Sequence, residues 1–354
     1  MNMKKTAFFP FNNDLITLLR YKKYFSNTFD IIVSSYKEDS FWLNDVCHPY
    51  GAEVEFDINK LSSVADSLII LDRPAVNYDK VRKVFSSFRK KGKEVYVSRE
   101  TALSLKVKGN DYKHVPNNEY GNISNDVRYL YDIDCPIIGI FGMGKNCSKF
   151  ETLVGLKIAF NKEDLTNIVY LSCNTLGPLF GMYSMPGFLY GNEKTFREKV
   201  LCFNRLLYDI CINECPDAIV IECPDGLAPL NKYEDNNFSE VANILTSAAP
   251  IDLGIINLYF EPTLSAKTLK GLQTSIESKY NIPDMAFVMG RQKIDFDNEL
   301  KKTNFLFLSD EYIGRYSKQK DNDKHPIFQL KDSEYNINIL EKIIDPLKVN
   351  IEVI

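Results

Sequence analysis

Short apolar runs rich in β-branched residues alternate along this chain of 354 residues with segments that have the hydrophobic period of an α-helix. In the first third, the strand-like runs are 5–10, 29–34, 67–71 and 94–98, and the helix-like segments between them are 14–25, 57–64 and 79–91. Consecutive strands that are joined through a helix lie parallel, with right-handed crossovers. The alternation therefore predicts an α/β fold built on parallel sheets, with a Rossmann-like domain at the N-terminus.

The alternation stops over residues 107–134, which are rich in Asn, Asp and Gly, and it starts again at Pro136. Polar, turn-forming segments of this kind connect domains. We therefore predict a Rossmann-like domain at 1–115, a connection at 116–134 and a second α/β domain at 135–354. The strands predicted in the second domain are 137–141, 168–173, 218–222, 253–260, 285–289 and 303–308.

The composition is that of a soluble globular protein, with 45% hydrophobic and 25% charged residues. The net charge of −4 and the isoelectric point of about 5.6 argue against a nucleic-acid partner or an anionic membrane surface. Neither a signal-peptide core nor a run of about 20 apolar residues is evident, so we expect a cytoplasmic protein with no membrane partner. The eight cysteines form no CxxC pair, which predicts reduced, buried thiols.

The stretch PIIGIFGMGKNCSKFETL, residues 136–153, has the order strand, glycine-containing loop, lysine, helix. Phosphate binding requires this order, because successive backbone N–H groups, a helix N-terminus and a lysine together neutralise the anion. Two registers fit the stretch. In the first, Gly139 opens the loop and Gly144-Lys145 closes it at the ordinary P-loop spacing, but Asn146 replaces the Ser or Thr that binds Mg²⁺.

In the second register, Gly142 opens a loop that is one residue longer, Ser148 takes the place of the second glycine and Lys149 is the phosphate lysine. We prefer this register because it leaves the predicted strand intact and starts the helix directly after the lysine. Phe150 is no magnesium ligand, and Thr152 would have to replace it. The longer loop resembles that of dethiobiotin synthetase and of the DUF1611 family, P-loop proteins with an N-terminal Rossmann-like domain. The resemblance implies a P-loop NTPase-like C-terminal domain.

A second feature supports this interpretation. In the segment DAIVIECPDG, residues 217–226, four apolar residues are followed by Glu222 and a turn. P-loop enzymes need such a carboxylate at the end of a neighbouring strand to hold Mg²⁺ or its water, and the segment resembles the corresponding strand end of the dethiobiotin synthetase group. ATP or GTP with Mg²⁺ is the predicted cofactor, Glu222 is the predicted metal ligand, and the predicted nucleotide-binding residues are Gly142, Gly144, Lys145, Ser148, Lys149 and Glu222. The alternatives are a strand–turn–helix without a ligand and an ordinary strand-end acid.

Four stretches resemble the clostridial peptide maturation system proteins, which are encoded beside radical SAM enzymes in gene sets for ribosomally made peptide natural products. They are PFNND with the nearby RY, CSKFE, LFGMYSMPGF and PDAIVIECPDGLAPLN, and the resemblance runs from about residue 6 to residue 290. It implies a role in modifying or handling a precursor peptide, with that peptide and a radical SAM enzyme as partners. In that family the loop lysine and the following Phe-Glu recur, whereas the loop glycines are not reliably present. This difference leaves open a nucleotide-binding protein without turnover.

The PFNND segment, residues 10–14, follows the first predicted strand and precedes a helix. Asp14 or Asn13 would serve as the N-cap of that helix. The alternative is that Asn12, Asn13 and Arg20 face a cleft and contact a substrate there.

Taken together, the residues and the resemblances predict an accessory protein of peptide natural-product maturation that binds a nucleotide or phosphate at a degenerate P-loop. Two other hypotheses stay open. One is a non-catalytic scaffold that binds the precursor peptide or a partner enzyme. The other is a transferase of the DUF1611 type that uses ATP or an acyl donor.

Overall fold

The computed structural model describes residues 5–24, 30–71, 77–97, 101, 105, 112–114, 119–121, 127–163, 167–297, 299, 301–316 and 327–351. The chain divides into two compact units, one of Met1–Asn118 with Thr175–Gly181 and the other of Glu119–Asn174 with Met182–Ile354. The predicted domain boundaries at residues 115 and 135 stay predictions. Every helix in the described ranges is too short or too polar to cross a lipid bilayer.

The first unit is built on a parallel sheet of six strands in the order β3-β2-β1-β4-β5-β6. This is the strand order of dinucleotide-binding Rossmann folds, so the predicted Rossmann-like sheet is confirmed. Phe29 and Ser98, at the ends of two predicted strands, lie outside the described residues. The strands are β1 (Lys5–Phe9), β2 (Asp30–Val33), β3 (Glu53–Val54), β4 (Ser67–Ile70), β5 (Glu94–Val97) and β6 (Lys113–His114).

The helices of the first unit are α1 (Asn13–Tyr21), α2 (Ser40–Cys47), α3 (Ile58–Val64) and α4 (Tyr78–Lys90). The last of these shows why the sequence folds in this way. Asn77 caps its N-terminus by accepting a hydrogen bond from the backbone N–H of Lys80, and Gly92 ends it with a φ of +69°. One face of α4 is buried against the sheet through Val81, Val84, Phe85 and Phe88.

The second unit contains a seven-stranded parallel sheet in the order β15-β12-β11-β7-β10-β8-β9. Its strands are β7 (Ile137–Gly142), β8 (Ile168–Ser172), β9 (Tyr183–Ser184), β10 (Ala218–Glu222), β11 (Leu253–Leu258), β12 (Met285–Met289) and β15 (Ile327–Gln329). A separate antiparallel hairpin is formed by β13 (Gln292–Asp297) and β14 (Lys302–Phe307). A strand was predicted near β14, but its antiparallel partner was not.

Two layers of helices cover this sheet. The helices are α5 (Lys149–Lys162), α6 (Phe196–Glu214), α7 (Glu240–Ala248), α8 (Ala266–Tyr280), α9 (Asp310–Tyr316) and α10 (Ser333–Ile351). In one layer α10 packs on α5, and in the other α6 packs on α7 and α7 on α8. The loop after β7 therefore leads to a different layer from the loops after β10 and β11, and ligands of open α/β sheets bind at the carboxyl ends of strands where this reversal occurs.

One pair of cysteines differs from the expectation of reduced thiols. The structure joins Cys135 to Cys211 by a disulfide, with the Cα atoms 6.5 Å apart, so the expectation is wrong for this pair. The remaining cysteines are free thiols.

Candidate functional site

The phosphate-loop candidate is the segment from Met143 to Ser148. The strand β7 ends at Gly142 and the helix α5 begins at Lys149, as the second register requires. In the first register, Gly139 would lie inside the strand, and Lys145 lies in the loop ahead of the helix. The geometry of strand and helix therefore favours Lys149 over Lys145 as the lysine at the helix N-terminus.

Ser148 has the backbone conformation that a glycine usually supplies. Its φ is +64°, in the left-handed region, which strains a residue that carries a Cβ. Two hydrogen bonds hold it there, because its Oγ donates to Gln292 Oε1 at 2.5 Å and accepts from the backbone N–H of Arg291 at 3.2 Å. The residue that replaces the second glycine thus fastens the loop to the start of β13.

Three glycines around the loop lie where a Cβ would meet neighbouring atoms at short distance, and at Gly226 these include backbone atoms. A Cβ on Gly142 would lie 2.2 Å from Cys147 Sγ, and one on Gly144 would lie 2.5 Å from the Tyr259 hydroxyl. A Cβ on Gly226, in the turn after β10, would lie 2.6 Å from the carbonyl oxygen of Met143. The loop and the turn after β10 are therefore in direct backbone contact.

Lys149 places its ammonium between the loop and this turn. Its side chain is buried, and Nζ donates a hydrogen bond to the carbonyl oxygen of Gly144 at 3.3 Å and another to the carbonyl oxygen of Asp225. These acceptors belong to the two segments that follow β7 and β10, the neighbouring strands at the layer reversal. The ammonium thus lies at the N-terminus of α5, where the helix dipole favours an anion.

Glu222 is the last residue of β10 and is almost fully buried. Its Oε2 accepts a hydrogen bond from Ser172 Oγ at 2.6 Å and another from the backbone N–H of Cys173 at 3.2 Å. Both donors lie at the end of β8, the next strand of the sheet. The structure therefore brings Glu222 and Lys149 to the carboxyl edge of adjacent strands, as the sequence predicted.

Three thiols surround this pair. Burial alone would lower the pKa of Lys149, but the charges that Cys147, Cys173, Cys223 and Glu222 carry when ionised outweigh it and raise the pKa above its usual value. Burial raises the pKa of all three thiols, to about 12 for Cys223. At neutral pH the thiols are therefore protonated, uncharged and poor nucleophiles, and the charge of Glu222 is what favours the ammonium form of Lys149 against the effect of burial.

Lys145 has a different environment. Its ammonium is half-exposed and lies 3.6 Å from Asp225 Oδ1 and 3.5 Å from Glu234 Oε1. Its carbonyl oxygen accepts a hydrogen bond from the Tyr259 hydroxyl. Asp225 thus contacts both loop lysines, Lys149 through its carbonyl group and Lys145 through its carboxylate.

Three carboxylates lie near the loop, and two of them, Asp225 and Glu234, are close to the ammonium of Lys145, which leaves Glu222 as the candidate for a magnesium ion. Phe150 is buried, and Thr152, the proposed substitute for the missing hydroxyl ligand, donates its hydrogen bond to Asn257 Oδ1 at 2.7 Å instead. In the described ranges, no group of three or more His, Cys, Asp or Glu side chains is placed to hold a metal. Glu222 therefore fits a Mg²⁺ that is bound mainly by phosphate oxygens and water, and not a site made by the protein alone.

The predicted substrate-binding residues of the first unit have structural partners. Asn12, rather than Asp14 or Asn13, caps α1 by accepting a hydrogen bond from the backbone N–H of Leu15 at 3.0 Å, so the predicted choice of cap is corrected. Asn13 is the first residue of that helix. Arg20 is buried and donates to the Tyr50 hydroxyl at 2.8 Å. Their contact with a substrate stays a prediction.

Sequence reasoning missed four residues that shape the site. Asp225, Asn236, Arg291 and Gln292 each hydrogen-bond the loop, Lys149 or Ser148. Asp225 had a weak signal, since it lies in the CPDG turn directly after Glu222. The other three are far from the loop in sequence, and no local pattern marks them.

The close contact at Gly226 gives a prediction about stability. In Gly226→Ala the new Cβ meets backbone atoms of Met143 and Gly144, which cannot rotate away, so we expect a loss of about 1–3 kcal/mol in the free energy of unfolding. The matched control is Gly271→Ala in α8, where no atom lies within 4 Å and alanine should stabilise the helix. Urea denaturation of the two variants measures both effects. If Gly226→Ala and Gly271→Ala were equally stable, the close contact at Gly226 would be contradicted.

Comparison with solved structures identifies the fold. A DUF1611 family protein from Anabaena variabilis matches with a TM-score of 0.54 over 99% of this chain and 100% of that chain, at 11% sequence identity. At this identity the likeness shows the fold, and the predicted combination of α/β domains is confirmed. The sequence matches no family model and no curated protein.

Two weaker matches are structures with bound ADP. Cobyrinic acid a,c-diamide synthase from Mycobacterium smegmatis, with bound ADP and magnesium, matches with a TM-score of 0.34 over 61% of this chain and 96% of that chain, at 10% identity. A nucleotide-binding protein from Archaeoglobus fulgidus in complex with ADP matches with a TM-score of 0.29 over 59% and 87%, at 12% identity. Both scores are too low to carry an argument.

Proposed function

We propose that the protein binds a nucleoside triphosphate with Mg²⁺ at the loop from Met143 to Ser148, as an accessory protein in the maturation of a ribosomally made peptide. One observation carries the nucleotide part of the proposal. The buried ammonium of Lys149 lies at the N-terminus of α5, next to Glu222 on the adjacent strand. The hydrogen bonds of this ammonium go to backbone carbonyl oxygens, which are neutral acceptors.

A polyphosphate would be a stronger acceptor than these carbonyl groups. Hydrogen bonds between charged partners are about twice as strong as those between neutral groups. Lys149 would therefore exchange the carbonyl oxygens of Gly144 and Asp225 for phosphate oxygens. Lys145, which is half-exposed at the tip of the loop, would add a second positive charge.

Glu222 would hold the Mg²⁺ that accompanies the nucleotide, directly or through water. When bound, Mg²⁺ neutralises part of the phosphate charge. The hydrogen bonds from Ser172 and from the Cys173 backbone hold the Glu222 carboxylate at the strand end. The residue directly after Lys149 is Phe150, which has no hydroxyl group to bind Mg²⁺. We therefore propose nucleotide binding, and not hydrolysis, as the primary activity.

The role in peptide maturation rests on the resemblance to the clostridial proteins. Its partners would be a precursor peptide and a radical SAM enzyme. The two lysines and Glu222 would then make the protein a nucleotide-dependent partner of that enzyme. Absence of both partner genes from the gene neighbourhood would contradict this part of the proposal without affecting nucleotide binding.

Thermal unfolding with added nucleotide tests the binding proposal. At a concentration 100 times the dissociation constant, a ligand that binds only the native state stabilises it by about 2.7 kcal/mol. We expect Mg·ATP or Mg·GTP at about 1 mM to raise the melting temperature by several degrees. Mg²⁺ alone and AMP should leave it unchanged. No shift with any nucleoside triphosphate would contradict the proposal and favour the non-catalytic scaffold.

A further inference from the structure

A strained turn lies beside the proposed phosphate site. The four residues Asn236–Ser239 have φ values of +51°, +49°, +48° and +62°, which is a left-handed run without a single glycine. Asn tolerates this region, but Phe238 does not, and its side chain is 72% exposed, so packing does little to offset the strain. Runs of left-handed residues persist only where other contacts enforce them.

Two side-chain amides hold the turn against the site. Asn236 Nδ2 donates to the carbonyl oxygen of Met143, the first residue of the loop, at 3.1 Å and to that of Ala228 at 2.6 Å. Asn237 Nδ2 donates to Asp225 Oδ2 at 2.6 Å. The turn is therefore fastened to both segments that contact Lys149.

The turn also leaves polar atoms unsatisfied. Asn236 Oδ1 and Ser239 Oγ are buried, and neither has a hydrogen-bond partner in the part of the chain that the structure describes. Ser239 occupies the N-cap position of α7 but makes no capping hydrogen bond. Each unsatisfied group adds a desolvation penalty to the backbone strain. The observed conformation is thus high in energy for reasons that are independent of each other.

Asp225 connects the turn to the lysines. Its carbonyl oxygen accepts from Lys149, and its carboxylate lies near the ammonium of Lys145 and accepts from Asn237. A polyphosphate that recruits both lysines removes the two positive groups that hold Asp225. Asp225 itself has a φ of +53°, so it too can relax once these contacts are gone.

We propose that a polyphosphate bound at the loop releases this turn, so that residues 236–239 adopt right-handed helical conformations and extend α7 at its N-terminus. The inference rests on the proposed nucleotide binding. In this proposal the turn changes conformation when the site is occupied, and the exposed ring of Phe238 moves with it. A ligand shifts such an equilibrium only through its different affinity for the two states, so the strain of the turn and the nucleotide affinity are linked.

Two substitutions of Phe238 test the linkage. Phe238→Gly and Phe238→Ala both remove the exposed ring, but only glycine relieves the left-handed strain and only alanine favours the released helix. We expect Phe238→Gly to melt at a higher temperature than Phe238→Ala. By calorimetry, Phe238→Gly should bind Mg·ATP about tenfold more weakly than Phe238→Ala, because a tenfold change in affinity corresponds to the energy of one left-handed residue. The wild-type protein is titrated in parallel.

The outcomes separate the two proposals. If the wild type binds Mg·ATP and the glycine variant binds it more weakly than the alanine variant, the released turn is supported. If the wild type binds and the two variants have equal affinities, the inference is overturned while the proposed function stands. If the wild type binds no nucleotide, the proposed function fails and the inference fails with it.

Discussion

Lys149→Met is expected to weaken nucleotide binding strongly. Methionine keeps most of the buried aliphatic volume but removes the only ammonium at the N-terminus of α5 within the described residues, so the polyphosphate would face the loop amides without that charge. We expect the dissociation constant for Mg·ATP to rise at least about 100-fold, which corresponds to about 2.7 kcal/mol. Isothermal titration calorimetry of the variant and the wild type measures the change.

The matched control for this variant is Lys162→Met. Lys162 lies in the last turn of the same helix, where it is partly exposed and pairs with Glu341 at 3.2 Å. Its removal should leave the affinity within about twofold of the wild type, because a surface ion pair far from the loop contributes little. Wild-type affinity in Lys149→Met would contradict the assignment of Lys149.

The second large effect is expected at the buried ion pair behind the loop. The Arg291 side chain is fully buried, and its Nε donates to Glu151 Oε1 at 3.3 Å. Asp310 also pairs with the guanidinium, and Asn336 Nδ2 donates to the same Glu151 oxygen at 3.1 Å. Since removal of one partner leaves a buried charge without compensation, Arg291→Met should lower the free energy of unfolding by about 3–5 kcal/mol.

A double-mutant cycle isolates this pair. Glu151→Leu combined with Arg291→Met removes both buried charges, so the double variant should be clearly more stable than the sum of the single losses predicts. Arg315→Met is the control, because Arg315 and Glu311 form an exposed pair on α9 and should contribute less than about 1 kcal/mol. Urea denaturation gives all the values. Additive losses in the double variant would contradict a direct pairing.

Local patterns were sufficient to predict much of the fold. The alternation of apolar runs and amphipathic segments predicted the parallel sheets, because the hydrophobic periods of a strand and of a helix can both be recognised from a few neighbouring residues. The same holds for the loop, because the end of β7, the start of α5 and Glu222 at the end of β10 each have a local signature. The carboxyl edge of a parallel sheet then brings Lys149 and Glu222 together.

Contacts between distant residues could not be predicted in this way. Ser148 is held in its glycine-like conformation by Gln292, and Glu151 is paired with Arg291, 140 positions further along the chain. In the hairpin, β14 was predicted but β13 was not, although Ile294 and Phe296 alternate there with polar residues. The cap of α1 was predicted at Asp14 or Asn13 and lies at Asn12, a difference of one or two residues that is the usual uncertainty of a helix end.

A crystal structure with Mg²⁺ and a non-hydrolysable ATP analogue tests the central claim most directly. The account predicts a phosphate group against the amides at the start of α5, with one of its oxygens about 3 Å from Lys149 Nζ. It also predicts that Lys149 has left the carbonyl oxygens of Gly144 and Asp225. A nucleotide bound elsewhere, with Lys149 still bonded to those carbonyl groups, would contradict the claim.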